Sequence, residues 1–230
     1  MISLLNQQPT EKVDYQEDGS LDVIEAFDTL QGEGPFAGRP AVFLRLAGCD
    51  LQCPGCDTQY TVGRHRRTVH NLVDLIWSLR RFPLVVLTGG EPFRQNLTPL
   101  VTLLLANQAE VQIESNATLY LPNFPYDGVT LVASPKTPSI NKQLKPHVSD
   151  LKYVVAADKI DLKDGLPTSV LGANIRPARP WSGFKGTIWL SPEDSQDEQQ
   201  NKLNMQQAIA SCMKHGYRIS MQMHKIWGLP

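Results

Sequence analysis

The chain has 230 residues, with 22 Lys and Arg against 23 Asp and Glu, for a formal net charge of -1. That balance excludes a general electrostatic grip on nucleic acid, which needs a basic surplus. With 41% hydrophobic and 20% charged residues, disorder over the whole length is excluded too. No apolar run nears the ~18–20 residues of a membrane span. Residues 1–20 hold no basic region followed by an apolar stretch, so no secretory signal is expected and the reading is a cytoplasmic protein without a membrane partner.

Residues 1–21 are polar and without a clear period; they read as a loose N-terminal extension, with a single domain over 22–230. Runs rich in Val, Ile, Leu and Phe predict strands at Asp22–Asp28, Ala41–Ala47, Leu84–Thr88, Glu110–Ser115, Val129–Ala133, Leu151–Val155, Thr187–Leu190 and Tyr217–Met221. Helices are expected at Thr68–Arg81, Leu97–Asn107, Asp158–Asp164 and Asp197–His215. In the first, Val69, Leu72, Val73, Ile76 and Leu79 form one apolar stripe; in the last, Met205, Ala208, Ile209, Cys212 and Met213 do so.

Alternating strands and helices imply a parallel sheet with helical crossovers. The stretches after Ser115 and Ala133 hold Pro122, Pro125, Pro135, Pro138 and Pro146 and no good helix, so strands outnumber helices. A full barrel of eight strand–helix units takes about 250 residues. The expected fold is therefore α/β: a partial, open (βα) barrel with truncated crossovers, its functional residues at the C-terminal ends of the strands.

Three of the four cysteines fall in one loop, Cys49, Cys53 and Cys56, directly after a predicted strand. The C-x3-C-x2-C spacing suits three irons of a [4Fe–4S] cluster, leaving the fourth open to a chelating small molecule. Structural zinc completed by His65 or His70, or a disulfide with a spare thiol, are alternatives. Cys212 reads as a small buried hydrophobe on its helix stripe. Arg45 interrupts an apolar strand and calls for an anionic partner, either a ligand carboxylate or an ion pair with Glu25 or Glu114.

The cysteine loop together with Thr88-Gly89-Gly90-Glu91-Pro92 resembles the radical S-adenosylmethionine (SAM) superfamily. Phe27–Pro35, Gly38–Cys49, Cys56-Asp57-Thr58, Glu114–Thr118, Ser134-Pro135-Lys136 and His224–Pro230 are similar, in order, to the 7-carboxy-7-deazaguanine synthase family. The resemblance spans about residues 22–230 and implies a lyase of the queuosine-type 7-deazaguanine pathway. Its reaction contracts 6-carboxy-5,6,7,8-tetrahydropterin to 7-carboxy-7-deazaguanine with release of ammonia. A reduced cluster cleaves SAM to a 5′-deoxyadenosyl radical that takes hydrogen from substrate C6, and Mg2+ assists. The resemblance further implies a homodimer and an external flavodoxin- or ferredoxin-like reductant. A radical SAM activase acting on a partner protein, or a zinc-stapled binding module, are the alternative functions.

Carried over by position, the resemblance implies cluster ligands at Cys49, Cys53 and Cys56 and a Mg2+ ligand at Thr58. It implies SAM contacts at Gly55, Cys56, Asp57, Gly90, Glu91, Ser134, Pro135, Lys136, Ser191, Pro192, Glu193 and Asp194. Substrate contacts fall at Leu30, Gln31, Gly32, Arg45, Thr88, His224 and Pro230. Gly89 and Gly90 are expected to leave the strand end open to a ligand. Four departures stand out: Gly55 replaces an aromatic that would pack on adenine, with Tyr60 a candidate substitute; Ser115-Asn116-Ala117-Thr118 replaces the usual Thr-Asn-Gly-Thr; Ser191 replaces a common Gln; and residues 1–20 extend beyond the family's usual start.

Overall fold

A computed structural model describes residues 5–80 and 83–229. Its strands are β1 (Leu21–Leu30), β2 (Pro40–Leu46), β3 (His65–Arg67), β4 (Leu84–Gly89), β5 (Glu110–Ser115), β6 (Val129–Ala133), β7 (Val148–Val155), β8 (Thr187–Pro192) and β9 (Arg218–Ile219). The helices are α1 (Val69–Leu79), α2 (Thr98–Ala106), α3 (Glu198–His215) and α4 (Met223–Trp227). All nine strands form one sheet in the order β3-β1-β2-β4-β5-β6-β7-β8-β9. β1 pairs antiparallel with β2 and β3, and every pair from β2 to β9 is parallel. The sheet does not close, so the expected open α/β barrel is what forms.

The crossovers are cut down where the prolines fall. α1 leads into β4, α2 joins β4 to β5 and α3 joins β8 to β9, while the segments after β5, β6 and β7 contain no α-helix. The predicted helix Asp158–Asp164 is instead a run of turns, closed by a bridge between Ile160 and Pro167. Asp161 and Asp164 turn their carboxylates back onto the chain, accepting from Lys163 N and Leu166 N, and this competes with helical hydrogen bonding.

Local chemistry sets the helix ends. Thr68 Oγ1 accepts from Asn71 N at the start of α1, and Asp197 accepts from Gln200 N at the start of α3. Gly216, at φ 75°, ends α3 in the left-handed region. Arg81 lies outside the described residues. The face of α3 that packs is rotated from the expected apolar stripe and shares Ala208 with it: Asn204, Ala208 and Ser211 are buried, whereas Met213 is 84% exposed and Ile209 is also exposed. Asn204 explains the rotation, because its side chain donates to Glu193 O and accepts from Ala157 N, tying α3 to the ends of β8 and β7. Cys212 is half-buried against the core. The strand expected at Tyr217–Met221 shortens to Arg218–Ile219, and α4 follows it unannounced by any apolar period.

Strand parity separates two faces. Val42, Leu44, Leu46, Val85, Leu87, Val111, Ile113, Leu131, Leu151 and Leu190 face the helices in one apolar core with Leu72, Ile76, Leu100 and Leu104. The inner face is mixed: Phe36, Ala41, Phe43, Leu84 and Val86 make a small apolar cluster, and polar residues occupy the rest.

Residues 5–20 are not loose. Asn6, Glu11 and Asp14 make backbone hydrogen bonds to Pro54, Cys49 and Arg94, and Asp14 forms a bridge with Gln95. Regular structure begins at Leu21, one residue before the expected start. Phe93, fully buried directly after the Gly89–Pro92 turn, packs edge-on against Phe124 at a centroid distance of 5.5 Å. Phe93→Ala is expected to lower unfolding free energy by about 3–5 kcal/mol, measured by denaturant titration of the apo chain.

Candidate active site

The cysteine loop begins where β2 ends and lies directly on the end of β4. Gly90 N donates to Leu46 O at 3.1 Å and Glu91 N to Gly48 O at 2.9 Å. A Cβ on Gly90 would sit 1.8 Å from Gly48 O, and one on Gly89, at φ +117°, would sit 2.2 Å from Leu46 O. The glycine pair is therefore required by the close approach of two strand ends, rather than by a ligand alone.

The Glu91 side chain locks this junction. Its buried carboxylate accepts from Ser115 Oγ and Asn116 N, each at 2.8 Å, and from Phe93 N at 3.1 Å. Burial and the nearby Asp50 charge push it up to about 7, against those three donors. Asp50 in turn accepts from Asn116 Nδ2 and Thr118 Oγ1, so the loop after β5 is tied to the cysteine loop.

All three loop cysteines are free and half-buried, as is Cys212. Burial raises each thiol, Cys49 to about 12. Thiols desolvated in this way ionise against a positive centre, and iron provides one. Among the described residues, no three His, Cys, Asp or Glu side chains close on a single metal ion. His65 and His70, weighed as zinc ligands, lie exposed on β3 and α1. The donor set of three soft thiolates on one loop fits an iron–sulfur cluster.

The implied SAM residues gather on the same edge. Lys136 Nζ reaches Ser134 O and Ser134 Oγ; burial pulls its pKa down, while the nearby Cys53 and Cys56 thiols oppose that shift. Ser134 N donates to Ser115 O at 2.7 Å, holding the Ser134–Lys136 turn beside the Glu91 junction. Ser191 Oγ is buried and has no hydrogen-bond partner among the described residues, the condition of a hydroxyl aimed at a ligand. Pro192 ends β8, and Glu193, raised by burial, lines a cleft of about 160 Å³ with Ala156, Lys159, Gly172, Gln200 and Asn204. None of the three cysteines lines this cleft, so it flanks the centre. Asp194 points elsewhere: it is held by Lys225 at 2.7 Å and pushed down to about 2 by that hydrogen bond.

Gly55 N donates to Leu171 O at 2.8 Å, and a Cβ on Gly55 would lie 3.1 Å from that carbonyl. The tip of the 156–186 segment thus occupies the space that a larger residue at 55 would need. Tyr60 does not take the aromatic's place: it is 1% exposed, and its hydroxyl is bonded to the Asn6 side chain. Asp57 is exposed, and Thr58 Oγ1 lies 3.3 Å from its carboxylate.

Of the implied substrate residues, the structure brings together Gly32 and His224, and Arg45 and Thr88. His224, on α4, packs against Gly32, where a Cβ would sit 2.5 Å from His224 Nδ1. Leu30 and Gln31 lead into that glycine from β1, and Arg45 is in register with Thr88 across β2 and β4. Arg45 is not buried, and of the two readings for its partner the ion pair forms: its Nε lies 2.7 Å from Glu25 Oε1 on the neighbouring strand. Pro230 lies outside the described residues.

Sequence reasoning missed the densest polar group there. Lys152 Nζ bridges Glu33 Oε2 at 2.5 Å and Glu114 Oε2 at 2.9 Å. Gln31 Nε2 donates to Gln112 Oε1 at 3.3 Å and Glu114 Oε1 at 3.2 Å, and Gln112 Nε2 donates to Glu114 at 3.0 Å. Two carboxylates against one ammonium leave a net negative group, suited to a ligand edge rich in N–H donors. The signal was present: Gln112, Glu114 and Lys152 interrupt apolar strands at inward positions, as Arg45 does.

A model of the 4Fe-4S single cluster domain matches residues 30–121. A 7-carboxy-7-deazaguanine synthase of Rhodospirillum rubrum is 41% identical over 97% of this chain and 98% of its own length. The chain belongs to the 7-carboxy-7-deazaguanine synthase family. The family relative from Rickettsia prowazekii is 32% identical over 91% of this chain and 88% of its own. A crystal structure of QueE from Escherichia coli shares the fold, with a TM-score of 0.65, 24% identity, and coverage of 88% of this chain and 93% of that one.

Burial raises Glu33 but the Lys152 charge and hydrogen bond outweigh it, leaving this carboxyl below its ordinary value of 4.5. Its contribution to stability is therefore complete above that value and is lost as pH falls through the lowered one. Lys152→Met, which leaves two carboxylates unpaired, is expected to cost about 3–5 kcal/mol in denaturant titrations at neutral pH. The loss should shrink on acidification, as the stranded carboxylates protonate.

Proposed function

We propose that this protein converts 6-carboxy-5,6,7,8-tetrahydropterin to 7-carboxy-7-deazaguanine, with release of ammonia, as a radical SAM lyase of queuosine-type biosynthesis. The observation that carries the reading is the junction itself: three free cysteines of one loop, seated through Gly90 and Glu91 on the adjoining strand end. Cys49, Cys53 and Cys56 hold a [4Fe–4S] cluster, which together with SAM supplies one-electron radical chemistry when bound.

The chain's own residues bind, orient and exclude water. The Gly90–Glu91 edge, the Ser134–Lys136 turn and the unpartnered Ser191 hydroxyl hold SAM; Gly55, Asp57, Pro192 and Glu193 border it. Thr58 contributes a hydroxyl to Mg2+, which otherwise relies on waters and ligand oxygens. Glu114 and Glu33, steadied by Lys152, accept hydrogen bonds from the N–H groups of the pterin. Gln31 and Gln112 fix the orientation of Glu114. Arg45 leaves Glu25 for the substrate carboxylate, with its planar fork matched to that group. His224 closes the far side against Gly32, and Pro230 is a substrate contact that the family resemblance implies.

We place the protein in the cytoplasm as a homodimer, with a flavodoxin- or ferredoxin-like protein as electron donor. No described helix is long and apolar enough to cross a membrane. Exposed Ile219, Ile226 and Trp227 near the β9 edge give a second copy an apolar surface to cover.

Any one of Cys49→Ala, Cys53→Ala or Cys56→Ala is expected to abolish SAM cleavage and turnover, while Cys212→Ala keeps iron content and rate near parental. Iron and sulfide analysis beside an anaerobic assay with mass spectrometry of the deazapurine checks both. An iron-poor, inactive Cys212→Ala protein would overturn the assignment. Arg45→Lys should keep the cluster and uncoupled SAM cleavage but raise substrate KM roughly 30-fold or more, as for a lost charged hydrogen-bond partner. An unchanged KM would remove the substrate carboxylate from Arg45.

A further inference from the structure

Residues 5–14 form a strap across the cysteine loop, and their hydrogen bonds are aimed at that loop. Glu11 N donates to Cys49 O at 2.7 Å, and Asn6 N donates to Pro54 O at 2.9 Å. Asn6 Nδ2 donates to Cys53 O at 3.2 Å. The Gln8 side chain donates to Thr58 O at 2.8 Å and accepts from Tyr60 N at 2.7 Å, while Gln8 O accepts from Gln52 Nε2 at 2.9 Å. The strap is pinned to the body by Arg94, which donates to Lys12 O and to Ala47 O, both at 3.0 Å.

Hydrophobic burial does not hold this segment in place. Leu5, Val13 and Tyr15 are 64%, 49% and 42% exposed. Its attachment comes from polar contacts: to the carbonyls of Cys49, Cys53, Pro54 and Thr58, from Tyr60 N and Gln52 Nε2, and between Glu11 and Arg64. Without the strap these carbonyls would face water, and the loop would lose a second set of constraints on its curvature.

We infer that the strap is a positioning element for the cluster, with Asn6, Gln8 and Glu11 setting the geometry and hydration of the cysteine loop. This rests on the cluster reading above. A [4Fe–4S] centre gains negative charge on reduction, and water favours the more charged form. Opening the strap should therefore raise the reduction potential and admit oxidants, with little effect on the sheet.

The test uses the full chain, reconstituted anaerobically, beside Gln8→Ala, Asn6→Ala/Gln8→Ala and a form lacking residues 1–10. Gln8→Glu, which keeps the acceptor for Tyr60 N but loses the donor to Thr58 O, guards against a variant that fails to load. The readouts are the cluster midpoint potential, the half-life of its brown absorbance in air, and the thermal midpoint of the apo chain. The expected result is a positive potential shift in the Ala variants and the truncated form, with bleaching roughly fivefold faster in every variant, Gln8→Glu included, as for the loss of about one net hydrogen bond in holding the loop closed. Variants that match a loaded parent in potential and bleaching overturn the inference alone, even if their apo thermal midpoint falls. A parent that takes up no iron overturns the cluster reading with it.

Discussion

The contact between Gly48 O and the Gly90–Glu91 peptide is the constraint on which the rest of the site depends. Parallel pairing of β2 with β4 brings the two strand ends side by side, in register from Ala41 and Leu84 to Leu46 and Gly89. Only residues without a Cβ permit the approach that follows. The buried Glu91 carboxylate then gathers Phe93 N, Ser115 Oγ and Asn116 N. One side chain thus ties the ends of β4 and β5 together, and Asp50 carries the link back to the cysteine loop.

The inner face is costly to build and is paired accordingly. Lys152 is buried, and its charge persists because Glu33 and Glu114 meet it. Glu33 comes from beyond β1, Glu114 from β5 and Lys152 from β7. Such a group orients its members before any ligand arrives, and water cannot replace those partners without unpairing them. An enclosed polar wall of this kind suits radical chemistry, in which a misplaced donor hydrogen diverts the reaction.

Truncated crossovers have a structural consequence. Where α-helices are missing after β5, β6 and β7, turns and extended segments cover the sheet ends instead. Several of these come to the cysteine loop: the Asn116–Thr118 turn through Asp50, and the Leu171 tip through Gly55. The N-terminal strap reaches it from the opposite end of the chain. A loop of closely spaced cysteines is thereby held by segments from the start, middle and second half of the sequence.

Features governed by neighbours along the chain were readable directly. Most strands followed from apolar runs, α1 from its 3.6-residue stripe, and the grouping of three thiols on one loop from the spacing of Cys49, Cys53 and Cys56. Family resemblance then implied roles for residues such as Ser134 and His224, which have no local signature. What stayed hidden depends on register and long-range pairing. Lys152 meets a carboxylate 119 residues away in sequence, and no period along the chain encodes that pairing. The α3 stripe misled because Asn204, a polar residue, is turned inward by the backbone ends of β7 and β8. Residues 5–20 looked loose because a segment that docks through hydrogen bonds to loop carbonyls needs no apolar period, and its partners exist only once the sheet has placed the cysteine loop beside it.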